Sequence, residues 1–320
     1  MAYQTGTASS VAILLEKLKE FAETQNWTIN KHTATQLFLK NNEGYWALEF
    51  KNNLLFTLVC TGFDGNYDAF NQPGNSANSQ FAYRQVRTAT SHLENGNFVT
   101  YDFFGTSQYL HVVVQIEAER FRHFGIGTLH KEGEYTGGQY AFGTYLVNRE
   151  EYDNSDSHSF GFSNGNNEFG PVVRAENLGG GTKSPWYFAS YDGYISDLST
   201  SGFGMCVVSL GRAVMFDHKK TIHPDARLVA FSQSKFGQIL IPCPHSLFAH
   251  CRDGIFRRLG ILPERYECRM VGISPRQIIT IAGERWMIIP SAQYNGNGQQ
   301  YSERGRDNSG IQGVAYRIVE

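Results

Sequence analysis

The sequence is poor in charge and in cysteine. Only 18% of its 320 residues are charged and the net charge is -2, so no overall field attracts nucleic acid or an anionic membrane. The five cysteines are odd in number and scattered, which makes a poor disulfide framework and predicts folding in a reducing cytoplasm. No apolar run approaches the roughly 20 residues that span a bilayer, and the polar first residues do not predict a signal peptide. We therefore expect a chain made inside a cell, with no membrane partner and no specific nucleic-acid binding.

Signatures of catalysis are also missing from the sequence. Gly179–Ser184 resembles a phosphate loop, but Thr182 stands where such a loop requires glycine, and Pro185 follows where its helix begins. No Gly-x-Ser-x-Gly motif marks a serine nucleophile, and Cys206 has no feature of an activated thiolate. Sequence alone does not place any two carboxylates across a cleft. We therefore predict that the protein is not an enzyme and binds no cofactor.

One cluster has the residue types of a zinc site. Cys243-Pro-His245 is followed closely by His250-Cys251, and thiolates and imidazoles are zinc ligands. The Cys-x-His and His-Cys spacing matches no common zinc finger, and no second cluster accompanies it. We favour buried thiols and loop histidines here, with zinc bound by these four residues as the alternative.

Glycine and the aromatic residues are abundant. The 33 glycines, 23 phenylalanines and 17 tyrosines indicate many turns joining aromatic-rich strands. A hydrophobic share of 41% is enough for a packed core. We predict a mainly β, β-rich α+β fold of antiparallel, sandwich-like sheets, with one N-terminal amphipathic helix and long irregular loops.

The amphipathic helix is predicted over residues Val11–Thr24. Its apolar residues recur at helical spacing, and the hydroxyls of the preceding Thr5–Ser10 segment supply capping groups. Burial of the apolar stripe contributes on the order of 10 kcal/mol before entropy, so we expect the helix to dock on the first sheet. The stripe comprises Val11, Leu14, Leu15, Leu18, Phe21 and Ala22.

A β-meander is predicted over residues 108–147. In its first strand, aliphatic residues alternate with Tyr109, His111 and Gln115, and period two places the two sets on opposite faces. We expect the chain itself to bury the aliphatic face, and a loop or a neighbouring subunit to contact the aromatic face. Replacing Tyr140 on that second face with a charged residue should impair assembly more than folding. The aliphatic face comprises Leu110, Val112, Val114, Ile116 and Ala118.

Further strands are predicted between turn-rich segments, as hairpins require. A short helix is expected within His250–Glu264, and a tight turn at Ala282–Glu284. The principal strands predicted outside the meander are Trp27–Asn30, Thr35–Lys40, Tyr45–Phe50, Leu54–Thr61, Gln277–Ile281, Arg285–Ile289 and Ile311–Val319.

Aromatic residues also occur in three long loops, predicted at 62–80, 148–184 and 291–308. Long loops in a compact chain are typically functional or ordered by a neighbour, and subunit interfaces use aromatic anchors. We therefore predict contacts between identical subunits of a homo-oligomer, with ordinary packing over the same chain as the alternative. Together with Tyr140, the interface candidates are Phe63, Tyr67, Phe70, Phe160, Phe162, Phe169, Tyr294 and Tyr301.

The predicted elements divide the chain into three parts. Residues 1–147 hold the helix and an antiparallel β region, residues 148–184 form a long loop or arm, and residues 185–320 form a second β-rich region. A chain of 320 residues fits one large β domain or two of ordinary size. Whether the first and last parts make one continuous unit is left open.

Three segments together carry a family resemblance, in an order that spans nearly the whole chain. The segments are Thr5–Ser10 with Leu14–Phe21 and Asn26–Thr28, then Phe124–Lys131 with Tyr135–Tyr140, and finally Ile279–Pro290 with Asn308–Arg317. They resemble a group of tailed-bacteriophage virion structural proteins. None of the segments marks an active site, so the resemblance carries over no catalytic residue.

The resemblance implies a structural subunit of the virion, usually present in a closed ring. A place in the neck or head-tail junction or in the tail is favoured over the baseplate. The implied partners are identical subunits and other virion structural proteins, with passing DNA in the channel of the ring. The implied location is the virion, after assembly in the host bacterial cytoplasm.

Two other functions stay open at this point. The first is a receptor- or glycan-binding module at the baseplate or tail tip, in which Trp186 and Tyr187 stack on sugars. The second is a tail-associated hydrolase, which requires clustered acidic residues that the sequence does not show.

Overall fold

The computed structural model describes residues 2–74, 89–93, 97–118, 120–143, 172–176, 186–189, 204–209, 212–213, 243–250, 256–270, 272–290 and 312–318. Within these ranges the chain forms twenty β-strands, one α-helix and a short 3-10 helix at Ala69–Asn71. The strands pair antiparallel in three sheets, which confirms the predicted fold class. No helix in the described ranges is long and apolar enough to cross a membrane.

The helix α1 spans Val11–Thr24, as predicted. The Ser10 side chain caps its start by accepting a hydrogen bond from the Ile13 N–H. Asn26 ends it by adopting a positive φ of 64°, which lets the Trp27 N–H bond back to the Ala22 carbonyl at 3.0 Å. The six residues of the predicted apolar stripe are the six buried residues of α1.

The central sheet contains the predicted meander. The first two strands in its spatial order lie far apart in the sequence, since Ala2 on one pairs with Gly105 on the other. In spatial order, the strands are β1 (Ala2–Ala8), β7 (Phe98–Gly105), β8 (Tyr109–Glu117), β9 (Arg120–Thr128), β11 (Thr136–Gly143), β12 (Val172–Glu176) and β13 (Trp186–Ala189).

The N-terminal sheet follows α1 in the chain. Its first four strands agree with the predicted ones to within two residues at each end. Asn52 and Asn53, at the turn between the third and fourth of them, have positive φ values of 54° and 61°. In spatial order, the strands are β2 (Thr28–His32), β3 (Gln36–Lys40), β4 (Tyr45–Lys51), β5 (Leu54–Cys60) and β6 (Ala89–His92).

The C-terminal sheet contains seven strands in one path. An additional short strand, β10 (His130–Lys131), pairs with its longest member. In spatial order, the path is β15 (Arg212–Ala213), β14 (Gly204–Ser209), β16 (Cys243–His250), β17 (Phe256–Arg269), β20 (Gln312–Ile318), β19 (Glu284–Pro290) and β18 (Gln277–Ile281).

The predicted helix within His250–Glu264 is wrong from Phe256 onward, where β17 forms a strand that pairs with β16 and, at Gly260 and Ile261, with β10. Residues 251–255 lie outside the described ranges. Ladder hydrogen bonds to β16 and β10 outweigh the local preference of this segment for a helix. Pro263 lies between Ile261 and Tyr266, where the pairing with β16 shifts register. Its missing N–H is therefore tolerated in the strand.

The central sheet is buried on both faces, so the three sheets stack in three layers. One face packs against α1 and the N-terminal sheet through Leu110, Val112 and Val114 of β8. The other face packs against the C-terminal sheet, where Tyr109 and Val113 of the same strand lie in the core. The alternation of β8 side chains between two faces was therefore predicted correctly. The second face of β8 is covered by the chain's own C-terminal sheet.

The strand ladder of the central sheet crosses the predicted division at residue 148. The strand β12 lies inside the predicted arm 148–184, which is therefore wrong as a loop at Val172–Glu176. The next strand, β13, belongs to the predicted third part but pairs with β12. The described parts of 1–147 and 185–320 thus share one sheet, as in the single-unit alternative.

Polar contacts hold the N-terminal sheet on the central sheet. The Trp46 indole N–H donates to the Tyr140 carbonyl at 3.0 Å, and the Trp27 indole N–H donates to the Thr106 carbonyl at 2.8 Å. The Gln139 side-chain amide donates to the Glu43 carbonyl. These bonds give the two indole groups partners inside the core, which removes the cost of burying an unpaired N–H.

Candidate functional site

Two buried histidines occupy the interface between the central and C-terminal sheets. His111 on β8 lies with its Nε2 atom 2.6 Å from the hydroxyl of Tyr140 on β11. His123 on β9 lies with its Nδ1 atom 2.8 Å from the hydroxyl of Tyr316 on β20. All four side chains are buried, so the pair of contacts forms a polar cluster inside an aromatic core.

The protonation of His123 follows from its two partners. Its Nε2 atom lies 2.7 Å from the carbonyl oxygen of Pro290, which only accepts, so Nε2 carries the proton and donates. Nδ1 then accepts from the Tyr316 hydroxyl. Burial and the nearby Arg265 charge lower the pKa of His123 to about 3, which favours this neutral form.

Arg265 on β17 joins the cluster from the C-terminal sheet. Its Nε atom donates to the Tyr316 hydroxyl at 3.1 Å, so this hydroxyl accepts from Arg265 and donates to His123. The guanidinium lies over the Phe142 ring, 4.7 Å from the centroid, in a cation-π contact. Burial raises the pKa of Tyr316, and the Arg265 charge opposes that shift.

His111 differs from His123 because its Nδ1 atom is buried without a hydrogen-bond partner. Burial is the main cause that holds its pKa well below the ordinary value, and the Arg265 charge acts in the same direction. Burial likewise raises the pKa of its partner Tyr140. The cluster is therefore uncharged at neutral pH apart from Arg265.

This buried cluster connects two layers and does not present its groups to solvent. A general base or acid must approach the substrate proton within about 3 Å, or through one water. The ring nitrogens of His123 are taken by Tyr316 and Pro290, and His111 is 1% exposed. The arrangement supports a structural role, in which His123 joins the central sheet to the C-terminal sheet through Tyr316 and Pro290, while His111 bonds to Tyr140 within the central sheet.

A second polar connection lies at the side of the same interface. Arg276, next to β18, donates from Nε and Nη2 to the two carboxylate oxygens of Asp102 on β7, at 3.0 and 2.8 Å. Arg276 also donates to the Thr5 hydroxyl on β1 at 3.0 Å. The Tyr3 hydroxyl completes the site by donating to Asp102 at 2.9 Å. This bidentate geometry ties the C-terminal sheet to the first two strands of the central sheet.

The first group of predicted interface residues packs within the chain. Phe63, Tyr67 and Phe70 are half-buried on the outer face of the N-terminal sheet. Phe63 and Tyr67 meet the ring of Phe38 edge-on at centroid distances of 5.4 and 5.3 Å, and Phe70 meets Phe56 at 5.2 Å. This is the packing that the alternative reading expected, and contacts of their exposed parts with a neighbour stay a prediction.

Tyr140 is a correction to the predicted interface. Its side chain is fully buried among Tyr109, Phe142 and residues of the C-terminal sheet. Its hydroxyl is used by His111. A charge at Tyr140 would enter the core, so the expected effect on assembly rather than on folding is wrong. The pattern of alternation showed which face Tyr140 occupies but not which layer covers it.

The zinc candidates lie on β16, where an extended backbone separates them. Cys243 pairs with Glu267 at one end of the strand and His250 pairs with Phe256 at the other. Seven residue steps along a strand span about 23 Å, so one ion cannot bind both residues. A four-ligand zinc site is therefore excluded by the strand, although Cys251 itself lies outside the described residues. Among the side chains that the structure describes, no group of three or more potential ligands gathers around a metal position.

The side chains of several other candidates are not among those that the structure describes. Trp186 and Tyr187, proposed to stack on sugars, lie on β13, where the structure describes the backbone alone. The interface candidates outside the described ranges are Phe160, Phe162, Phe169, Tyr294 and Tyr301.

The residues of the two polar connections were missed by the sequence patterns. A signal was present, because polar residues interrupt aromatic runs in Tyr101-Asp-Phe-Phe104 and Phe121-Arg-His-Phe124. A polar group that shares a strand with aromatic core residues must find a buried partner. The partners Arg265, Arg276 and Tyr316 lie in distant segments, so no local spacing identifies them.

Neither the models of known protein families nor the curated protein sequences contain a match to this chain.

Proposed function

We propose that this chain is a structural subunit of a tailed-phage virion, acting by protein-protein assembly as an oligomeric ring component of the neck, head-tail junction or tail. Its partners in this proposal are identical subunits and other virion structural proteins. The chain carries no catalytic role, and DNA only passes through the channel of the ring. Assembly takes place in the host bacterial cytoplasm.

The observation that carries the proposal is where the three resembling segments lie in the fold. The first forms the end of β1, most of α1 and the start of β2. The second forms most of β9, with β10 and β11, and the third forms β19 with most of β18 and β20. These elements belong to α1, the central sheet and the C-terminal sheet, and include the packed interface between those two sheets; the N-terminal sheet is reached only at Thr28. Because the resembling segments form a packed helix and packed strands of the fold, the resemblance supports a shared architecture and a structural role.

The polar connections between layers support the same proposal. The His123–Tyr316 contact and the Arg276–Asp102 pair both join the central sheet to the C-terminal sheet. Buried, geometrically defined polar contacts fix one arrangement of packed layers, because any other arrangement leaves their groups unpaired. A subunit with fixed layers can present the same surface to every neighbour in a symmetric assembly.

The test is to locate the chain in the phage particle that encodes it. An antibody against the full chain should label purified particles at a single level along the particle axis. The amount of the chain's peptides, measured relative to peptides of the major tail protein, should correspond to several copies of the chain per particle. Particles that lack the chain would contradict the proposal. Labelling at the tail tip, with glycan binding by the purified chain, would favour the receptor-binding alternative.

A further inference from the structure

The central and C-terminal sheets have edges on the same side of the molecule. Among the described strands, β1 is outermost in the central sheet and β18 is outermost in the C-terminal sheet. Arg276 directly precedes β18 and contacts Thr5 on β1 and Asp102 on β7. The two edges are therefore neighbours in adjacent layers.

The opposite side of the same two layers has a second pair of edges. The outermost described strand of the central sheet there is β13, and it lies against β14 of the C-terminal sheet. One further strand, β15, lies outside β14 in its sheet. Packed sheets are about 10 Å apart. On both sides of the molecule, the edge of the central sheet and the edge of the C-terminal sheet are therefore separated by the same distance.

The strand β18 lacks the features that usually protect an edge. Its sequence, Gln277-Ile-Ile-Thr-Ile281, contains no charge and no proline, and its pairing with β19 has no register shift. It is rich in β-branched residues, and Ile278 is 43% exposed. An uncharged edge strand without proline or a bulge is a template for pairing with another strand.

The hairpin turn determines which groups of β18 point outward. Ala282 and Gly283 have positive φ values of 50° and 82°, as in a two-residue type I′ turn. In such a hairpin Ile281 and Glu284 form a hydrogen-bonded pair, and pairs alternate along the ladder. Ile278 and Thr280 therefore direct their N–H and C=O groups away from β19, towards the side of β18 on which no described strand pairs.

The N-terminal sheet provides a contrast within the same chain. Its outer strand β2 carries Lys31 and has a register shift between Ile29 and Lys31. A lysine and a bulge are both devices that prevent strand addition at an edge. The β2 edge of the N-terminal layer thus carries protective features that β18 lacks.

We propose that copies of this chain join head to tail by strand addition, with the β1 and β18 side of one copy against the β13 and β15 side of the next. This inference rests on the proposed assembly function and names its interface. The partner is a second copy because its opposite side offers two stacked edges at the matching separation. The strands β1, β13 and β18 contain no charged residue and β15 carries one, Arg212, so no two like charges lie on the four strands that would meet. A repeated head-to-tail contact closes into a ring when the rotation between copies allows it.

The first test changes the outward N–H of Thr280. Thr280→Pro removes this donor without breaking a bond to β19, whereas Thr280→Val keeps the donor and the shape. We expect the proline variant to raise the concentration for half-assembly at least about tenfold in light-scattering mass measurements, and the valine variant to leave it unchanged. Thr280→Lys should act like proline, while Val99→Lys, at a 47% exposed residue on a strand paired on both sides, should not. Circular dichroism and thermal melting confirm folding of each variant.

The second test identifies which edges meet. Full-length chains carrying Thr280→Cys and Ala213→Cys are mixed under mild oxidation, with the wild-type chain as the background for native cysteines. Head-to-tail joining predicts a cross-linked dimer in the mixture and none with either variant alone. Cross-linking of Thr280→Cys with itself would show a two-fold contact and overturn the inference. A chain that stays monomeric at its highest soluble concentration would overturn it as well.

Failure of the inference is distinguishable from failure of the proposed function. Oligomers that are insensitive to every Thr280 variant, and that form no mixed cross-link, would place the interface elsewhere and leave the virion assignment intact. Absence of the chain from the particle would remove the virion assignment whatever the outcome of the edge experiments.

Discussion

The hydroxyl of Tyr316 donates a hydrogen bond to Nδ1 of His123 across 2.8 Å, although the two residues are separated by 193 positions in the sequence. The same hydroxyl accepts a hydrogen bond from Arg265, so one oxygen atom connects three strands from two sheets. Its position explains why a tyrosine and not a phenylalanine occupies this place in the core.

Tyr316→Phe should lower the free energy of unfolding by about 1–3 kcal/mol, because it leaves His123 and Arg265 each without one buried partner. Chemical denaturation at neutral pH measures the loss. Tyr266→Phe removes the same atom from a half-buried ring on the opposite face of the C-terminal sheet, and should cost less than about 0.5 kcal/mol. Equal effects of the two substitutions would show that the Tyr316 hydroxyl has no special role.

Asp102→Asn should cost about 2 kcal/mol, because the carboxylate accepts from both Arg276 and Tyr3 in a nearly buried position. The loss should appear in denaturant titrations as a lower midpoint with an unchanged slope. Glu117→Gln, in the exposed ion pair with Arg120, is the matched control and should change stability by less than about 0.5 kcal/mol. A loss at Glu117 as large as that at Asp102 would contradict the assigned importance of the interlayer pair.

The buried histidines should make stability depend on pH on the acid side of neutrality. The pKa of His123 is about 3 in the folded chain and about 6.5 when unfolded, so between these values the unfolded chain binds a proton that the folded chain does not. The free energy of unfolding should therefore fall with decreasing pH over this window, by on the order of 1.4 kcal/mol per pH unit for each such histidine. The lowered pKa of His111 acts in the same direction.

Denaturation curves between pH 6.5 and pH 4 test this dependence. His111→Gln should flatten the slope of stability against pH, since one of the two buried titrating groups is removed. His130→Gln, on the exposed strand β10, is the control for the loss of a histidine outside the core. A slope that His111→Gln leaves unchanged would show that this histidine does not contribute.

Phe63→Ala should destabilise the isolated chain by about 1–3 kcal/mol, because the ring packs edge-on against Phe38 and Tyr45. Val99→Ala, at a more exposed apolar residue, should cost less than about 1 kcal/mol. Thermal melting of the monomeric fraction separates this effect from any loss of assembly. If Phe63→Ala kept its full stability but assembled poorly, the result would show that Phe63 contacts a neighbouring subunit.

Local elements of this fold were predictable because their causes are local. The stripe and cap of α1 lie within Ser10–Ala22, and the β18–β19 hairpin follows from an Ala-Gly turn between two β-branched runs. Neighbouring residues alone determine both patterns. Their boundaries were therefore predicted to within one or two residues.

The arrangement of the layers was not predictable from those patterns. Alternation in β8 separates Val112 from Val113, but whether the second face meets solvent, another subunit or the same chain depends on β17, β19 and β20. The partners of His123 lie in β19 and β20, more than 160 residues away. Likewise, β17 is a strand because it pairs with β16 and β20 in the sheet, and its own residues do not indicate this conformation.

Burial of the central sheet on both faces has a consequence for synthesis of the chain. Its β8 and β9 leave the ribosome long before β19 and β20, which cover Val113 and Phe121. Until then an aromatic and aliphatic surface stays open to other nascent chains and to chaperones, as in slow-folding proteins of high contact order. A chain halted before β20 should therefore be retained by chaperones or aggregate, while one that includes β20 is released.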